Sequence, residues 1–213
     1  MELFLLLATF LTISNHPPYI IPETFKDKGS DDNDRIVAFA DHAICSFMEA
    51  AAKEDWYENT IFILLGDHGK VLTQQSQQYD MALTYNHIPL IIYSPLFKDA
   101  PKRFKQMGGQ IDIFPTVMGL LNIPYENNTP GIDLFHEERP FIYFVSNTHL
   151  GCVNDQYLYI YNPSEKKESL HDYKNLRIDN LTTKYPALRD SMRQYSISMM
   201  EVSDYVVESG VLR

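Results

Sequence analysis

Cysteine, positive charge and long apolar runs are all in short supply in this chain. Cys45 and Cys152 are its two cysteines, too few for a disulfide framework or a cysteine-ligated metal cluster. Against 28 acidic side chains there are 18 basic ones, a net charge of −10, which lacks the clustered Lys and Arg of a nucleic-acid surface. The apolar run near the start, Phe4 to Leu11, falls short of the ~18–20 residues that cross a bilayer. Glu2 stands where a signal peptide carries positive charge, and no small-residue cleavage site follows, so no targeting segment is read here. No internal repeat or low-complexity segment is present. What remains is 45% hydrophobic and 13% aromatic over 213 residues, enough for one sizeable core or a core with a small lobe.

The most informative stretch is Ile61 to Lys70, I-F-I-L-L-G-D-H-G-K. Five apolar residues suit a strand buried on both faces. The run stops at Gly66, and Asp67 and His68 follow at once at the carboxyl end of that strand, where open α/β sheets place their ligand crevices. Side chains of adjacent strand residues diverge, but a Gly-flanked turn lets these two converge on one ion. The same three residues also read as an ordinary polar turn.

Along the chain, Leu3–Ser14 reads as a buried strand ended by Asn15-His16-Pro17-Pro18, which puts His16 on a loop at the strand's end. A sequence that opens inside a core strand is expected to belong to something longer. Apolar residues from Ile36 to Ala51 recur every three or four positions and predict a helix over 34–54. Its apolar face takes in Cys45 as a buried thiol and leaves Asp41 and His42 partly exposed. Strand, helix, strand in this order implies a parallel βαβ pair. The glutamine-rich segment 71–85 is expected to form a surface loop over the site. His87 precedes a strand over 90–93, and Asp112 and Pro115 open a helix to about Leu121. Aromatic strands over 141–145 and 157–161 and a helix over 186–207 close the chain. The expected fold is α/β, a largely parallel sheet flanked by helices over 1–139, with a small α+β lobe over 140–213.

Four segments in this order carry a resemblance: T-I-S-N-H-P-P-Y (12–19), G-D-H-G (66–69), N-H-I-P-L-I-I-Y-S-P (86–95) and Q-I-D-I-F-P-T-V-M-G-L-L-N-I (110–123). They resemble the C-terminal part of a sulfatase-type domain of the alkaline phosphatase superfamily, closest to the phosphoglycerol transferase branch that includes lipoteichoic acid synthases. The resemblance covers about Leu3 to Phe135, and the C-terminal lobe more loosely. It implies one divalent metal, Mn²⁺ first and Mg²⁺, Ca²⁺ or Zn²⁺ otherwise, held by Asp67 and His68. It further implies substrate contacts at His16 and, more weakly, at His87, whose other role is to orient its loop. The substrate would be a phosphoglycerol or sulfate ester of a lipid or glycan, met on the extracytoplasmic side by a membrane-anchored parent protein.

The chain departs from the family's pattern in what it lacks. The family's first acidic ligand and its nucleophilic threonine have no match here, and are expected in an N-terminal half of the same domain. Sulfatases instead form formylglycine from Cys or Ser in a C/S-x-P/A-x-R setting, and neither Cys45 nor Cys152 lies in one. Three expectations follow: part of a metal-dependent transferase or ester hydrolase that is inactive alone, a true sulfatase with its formylglycine elsewhere, or an inactive half-domain acting as a binding module.

Overall fold

The computed structural model describes residues 6–70, 79–146 and 148–210. The glutamine-rich loop expected over 71–85 lies outside the described residues as far as Gln78. Its last part forms a short helix, Leu83–Asn86. The chain divides into two compact units, Met1–Ile63 with Ile91–Asp99, and Leu64–Leu90 with Ala100–Arg213.

In the first unit, helix α1 runs from Asp32 to Ala51. It starts two residues before the expected position because Asp31 is its cap: Oδ1 accepts the amides of Asn33 (2.8 Å) and Asp34 (2.9 Å). Asp32 and Asp34 then sit in the first turn, on the positive end of the helix dipole. Along the helix only Ile36 and Ala51 are buried, whereas Val37, Ile44 and Phe47 are about half exposed. Cys45 is exposed as well, its Sγ 3.7 Å from Glu49 Oε1, which corrects its reading as a buried thiol. The apolar stripe of α1 is real, but little of this unit covers it.

The strand expected over Leu3–Ser14 does not form among residues 6–14. Leu6, Leu7, Phe10, Leu11 and Ile13 are 74–88% exposed. A strand exists only where a neighbour takes its hydrogen bonds, and none pairs with this run among the described residues. Strand β1, Phe62–Leu65, is likewise less covered than its apolar run suggests: Phe62 is buried and Leu65 exposed. Phe62 owes its burial to the rings of Phe47, Trp56, Tyr57 and Tyr93, at 5.5–6.4 Å. Strand β2, Leu90–Tyr93, forms where expected and makes a two-stranded sheet with β1. Beyond it, buried Ser94 donates its hydroxyl to Thr60 O at 2.7 Å.

The second unit is built on a four-stranded antiparallel sheet in the order β3 (Ile142–Ser146), β4 (His149–Val153), β5 (Tyr157–Asn162), β6 (Lys167–Asp172). Register aligns Tyr143, Cys152, Tyr159 and Leu170 across the four strands. Cys152, Tyr159 and Leu170 are fully buried with Met192 of helix α4, Pro186–Ser209. The other face carries Leu158 and Ile160, packed with Met81. That face also needs the glycine of β4: a Cβ on Gly151 would meet the Phe144 ring at 2.6 Å. The segment 79–83 is therefore pinned to the sheet, and α2 (Leu83–Asn86) continues directly from it. Helix α3, Ile113–Leu121, follows a 3-10 turn at Gln110–Asp112 and ends on Asn122 in the left-handed conformation.

Candidate metal and substrate site

After β1 the backbone turns sharply at Gly66-Asp67-His68-Gly69, and both glycines are there for space. A Cβ on Gly66 would lie 3.3 Å from His68 O and 3.4 Å from Ile88 Cγ2. On Gly69 it would lie 2.0 Å from Thr84 O, an impossible approach, because the α2 turn packs on this glycine. Gly69 N donates to Tyr85 O at 2.7 Å and completes that contact.

Within the turn, the Asp67 carboxylate and His68 imidazole face the same way. Asp67 Oδ1 accepts the His68 amide at 2.9 Å, and Oδ2 lies 4.0 Å from His68 Nε2. His68 Nδ1 lies 2.7 Å from Gly69 O. A carbonyl only accepts, so Nδ1 carries the proton and the neutral ring has its lone pair on Nε2. A histidine whose Nδ1–H is held by a carbonyl, leaving the lone pair on Nε2, is arranged as metal ligands are. Tyr85 stacks on the imidazole, 4.6 Å between centroids and 19° from parallel, and fixes the ring plane.

The donors fit a divalent cation. Asp67 Oδ2 and His68 Nε2 lie 4.0 Å apart, so the two donor atoms are neighbours on one side of the turn. A carboxylate with a neutral imidazole suits a borderline ion such as Mn²⁺ or Zn²⁺. Both side chains remain solvent-accessible, 69% for Asp67 and 46% for His68. Among the described residues, no cluster of three His, Cys, Asp or Glu is placed to hold a metal, so these two are a pair and not a complete shell.

The other expected residues fall as follows. His87 is exposed and closes α2, its amide donating to Leu83 O at 2.8 Å. Its carbonyl borders the Gly69 approach, so its backbone belongs to the wall of the Asp67–His68 turn. His16 lies in the first unit, exposed in a turn closed by its amide on Ile13 O (3.2 Å), with Nδ1 2.8 Å from Pro17 O. Two residues of the site carry no recognisable sequence signal, Tyr85 and Gln110. Gln110 Nε2 donates to Gly66 O (3.1 Å) and Asp67 O (2.9 Å), across more than forty residues of sequence.

Asp112 looks like a candidate ligand by type but is structural. It is fully buried, accepting the amides of Gly109 (2.8 Å) and Ile132 (2.9 Å) and pairing with Arg139 Nη2. Arg139 also donates to Tyr195 OH at 3.1 Å. Burial pushes the Tyr195 hydroxyl up, so it stays neutral as an acceptor.

The chain belongs to the sulfatase family: the Sulfatase family model matches residues 6–123, more than half of its length. Among curated proteins it is 28% identical over 177 residues to a lipoteichoic acid synthase-like protein, YvgJ, of Bacillus subtilis, covering 70% of this chain and 29% of that one. It is 29% identical over 103 residues to arylsulfatase K of Canis lupus familiaris, covering 44% of this chain and 19% of the relative. Among solved structures, an alkaline phosphatase superfamily protein from Vibrio parahaemolyticus matches with TM-score 0.70 at 22% identity, over 93% of this chain and 48% of the other. The lipoteichoic acid synthase LtaP from Listeria monocytogenes matches with TM-score 0.64 at 20% identity, over 92% and 52%. The fold is thus the α/β fold of those structures, as expected. The chain spans under a third of those curated relatives and about half of those structures.

Proposed function

We propose that this chain is the metal-ligand-bearing part of a metal-dependent phosphoglycerol transferase or a related phosphoric or sulfuric ester hydrolase. Residues 1–139 would be the C-terminal portion of the catalytic domain and 140–213 its small lobe. The observation that carries the reading is the Asp67–His68 pair, with Nδ1 tied to Gly69 O and Nε2 4.0 Å from Asp67 Oδ2. Asp67 and His68 would hold one divalent cation, Mn²⁺ first. Such an ion lowers the pKa of an attacking hydroxyl and neutralises charge on the ester's non-bridging oxygens.

The chain's own residues orient and bind. Tyr85 keeps the imidazole plane, His68 keeps its Nδ1 proton on Gly69 O, and His16 and His87 contact the anionic headgroup. A threonine supplied by sequence outside this chain would attack the phosphorus of a phosphoglycerol ester, the ester's alcohol would leave carrying a proton, and the phosphoglycerol group would then pass from the threonine to an acceptor hydroxyl or water. The substrate is an ester of a lipid or glycan, which suits an extracytoplasmic site in a membrane-anchored protein. No helix among the described residues is long and apolar enough to cross a membrane. The transferase reading is favoured over a true sulfatase because the lipoteichoic acid synthase-like relative aligns with 70% of the chain and arylsulfatase K with 44%.

Titration calorimetry with Mn²⁺ tests the ligand assignment. Weak binding is expected for the wild type, and its loss in Asp67→Ala and His68→Ala. An identical isotherm for wild type and His68→Ala removes His68 as a ligand. The chain alone should not turn over p-nitrophenyl phosphate or p-nitrophenyl sulfate. Metal-dependent turnover would show that the nucleophile lies within it.

A further inference from the structure

We infer that Gln110 is a positioning residue for the proposed metal turn, a role that rests on the reading of Asp67 and His68 as ligands. Its side-chain amide donates to two successive carbonyls, Gly66 O at 3.1 Å and Asp67 O at 2.9 Å. Both acceptors are carbonyl oxygens, so only the NH₂ end of the amide can face them, and its orientation is fixed by chemistry. The two carbonyls belong to the peptide planes on either side of the Asp67 Cα. Holding both planes sets φ and ψ of Asp67, and with them the direction of its Cα–Cβ bond. The Asp67 carboxylate then accepts the His68 amide, which hands the constraint on to the neighbouring ligand.

A clamp works only if its own base is rigid, and this one is. The Gly109–Asp112 turn is closed in both directions: Gly109 N donates to Asp112 Oδ2 at 2.8 Å, and Asp112 N to Gly109 O at 3.0 Å. Asp112 is held in turn by Ile132 N and Arg139. Thr116 Oγ1 donates to Asp112 O at 2.6 Å and binds the base to α3. Gly131 presses so closely on the same turn that a Cβ there would lie 2.1 Å from Ile111 O. Gln110 is itself exposed, so losing its amide leaves the core intact. Asp112 and Arg139 thus hold the turn, and the Gln110 amide carries its rigidity to Asp67.

The test compares Gln110→Ala and Gln110→Met, which keeps the reach without the donor, with wild type and Asp67→Ala. Three quantities are read: Mn²⁺ affinity by electron paramagnetic resonance, metal-free amide exchange at His68 and Gly69, and the thermal midpoint. Both Gln110 variants should bind Mn²⁺ about tenfold more weakly and exchange faster at these amides, with the midpoint unchanged. A wild-type affinity in both variants, while Asp67→Ala loses binding, overturns the inference. Should wild type itself take up no Mn²⁺ through Asp67, the metal reading fails. Exchange then decides the clamp: acceleration upholds it and no change overturns it.

Discussion

The imidazole of His68 lies flat against the ring of Tyr85, with 4.6 Å between centroids and 19° between planes. Tyr85 N–H and C=O are committed elsewhere, to Ala82 and Gly69, so replacing the side chain leaves the backbone contact in place. A stacked aromatic pair contributes about 0.5–1.5 kcal/mol, roughly two- to tenfold in an equilibrium constant. Tyr85→Ala should therefore weaken Mn²⁺ binding by that factor, and Tyr85→Phe should leave it unchanged. Equal losses in both variants would point to the hydroxyl and not the ring.

Asp112 and Arg139 form a buried ion pair, their side chains 0% and 5% exposed. Removing one partner of such a pair strands the other charge, at a cost of about 3–5 kcal/mol. Asp112→Ala should lower the urea midpoint accordingly. Arg139→Met added to it should recover much of the loss, because the orphaned guanidinium is then gone. A double variant as unstable as Asp112→Ala would mean that the lost amide contacts of Gly109 and Ile132 dominate.

How much of this was legible in the sequence depended on what held each element. Helices α1 and α4 and strands β2 and β5 announce themselves through periodicity or apolar runs, and form close to their expected bounds. Strands β4 and β6 did not. Gly151 interrupts the first, its missing side chain making room for Phe144, and Lys167-Glu168-Ser169 disguises the second. Leu6–Ile13 misled in the opposite sense, since apolar residues make a strand only when a neighbour supplies hydrogen bonds. In the site, Asp67 and His68 stand out because glycines flank them. Gln110 could not be read, because a side chain that binds two backbone carbonyls leaves no pattern in spacing or composition.

The two thiols differ in the structure, and the exposed one is Cys45, whose place on the apolar stripe of α1 had suggested burial. Cys152 is fully buried in the sheet core, and burial pushes its thiol far up. Cys45 is exposed on α1, its pKa raised chiefly by the charge of Glu49 one turn on. Ellman's reagent should titrate one thiol in the native protein and two in guanidinium. Glu49→Gln should quicken the native reaction, because the thiolate is the attacking species. Two fast thiols in the native state would show that the sheet core is open to solvent.

His171 gives the second unit a defined acid sensitivity. Its ring lies 4.8 Å from that of Tyr79 and its Nδ1 3.1 Å from Asp179 O, while the residue is only 8% exposed. Burial lowers its pKa below the usual 6.5, and backbone hydrogen bonding to Asp179 and Ile178 and the charges of Asp80 and Asp179 oppose this without reversing it. Above the unfolded value the imidazole is neutral in both states and contributes no pH dependence. Below it the unfolded chain takes a proton that the native site resists, so ν_U exceeds ν_N and stability rises with pH across that window. Stability should thus fall as pH drops from about 6.5 towards the lower folded value, and level off beneath it. The anchor at risk is the one holding Tyr79, whose hydroxyl donates to Arg177 O at 3.3 Å, against the sheet face that buries Met81. Urea midpoints at pH 7.5 and pH 5.5 should differ more for wild type than for His171→Gln, which carries no titrating group there. Equal pH dependence in the two proteins would assign the acid sensitivity to other groups and leave His171 a packing residue alone.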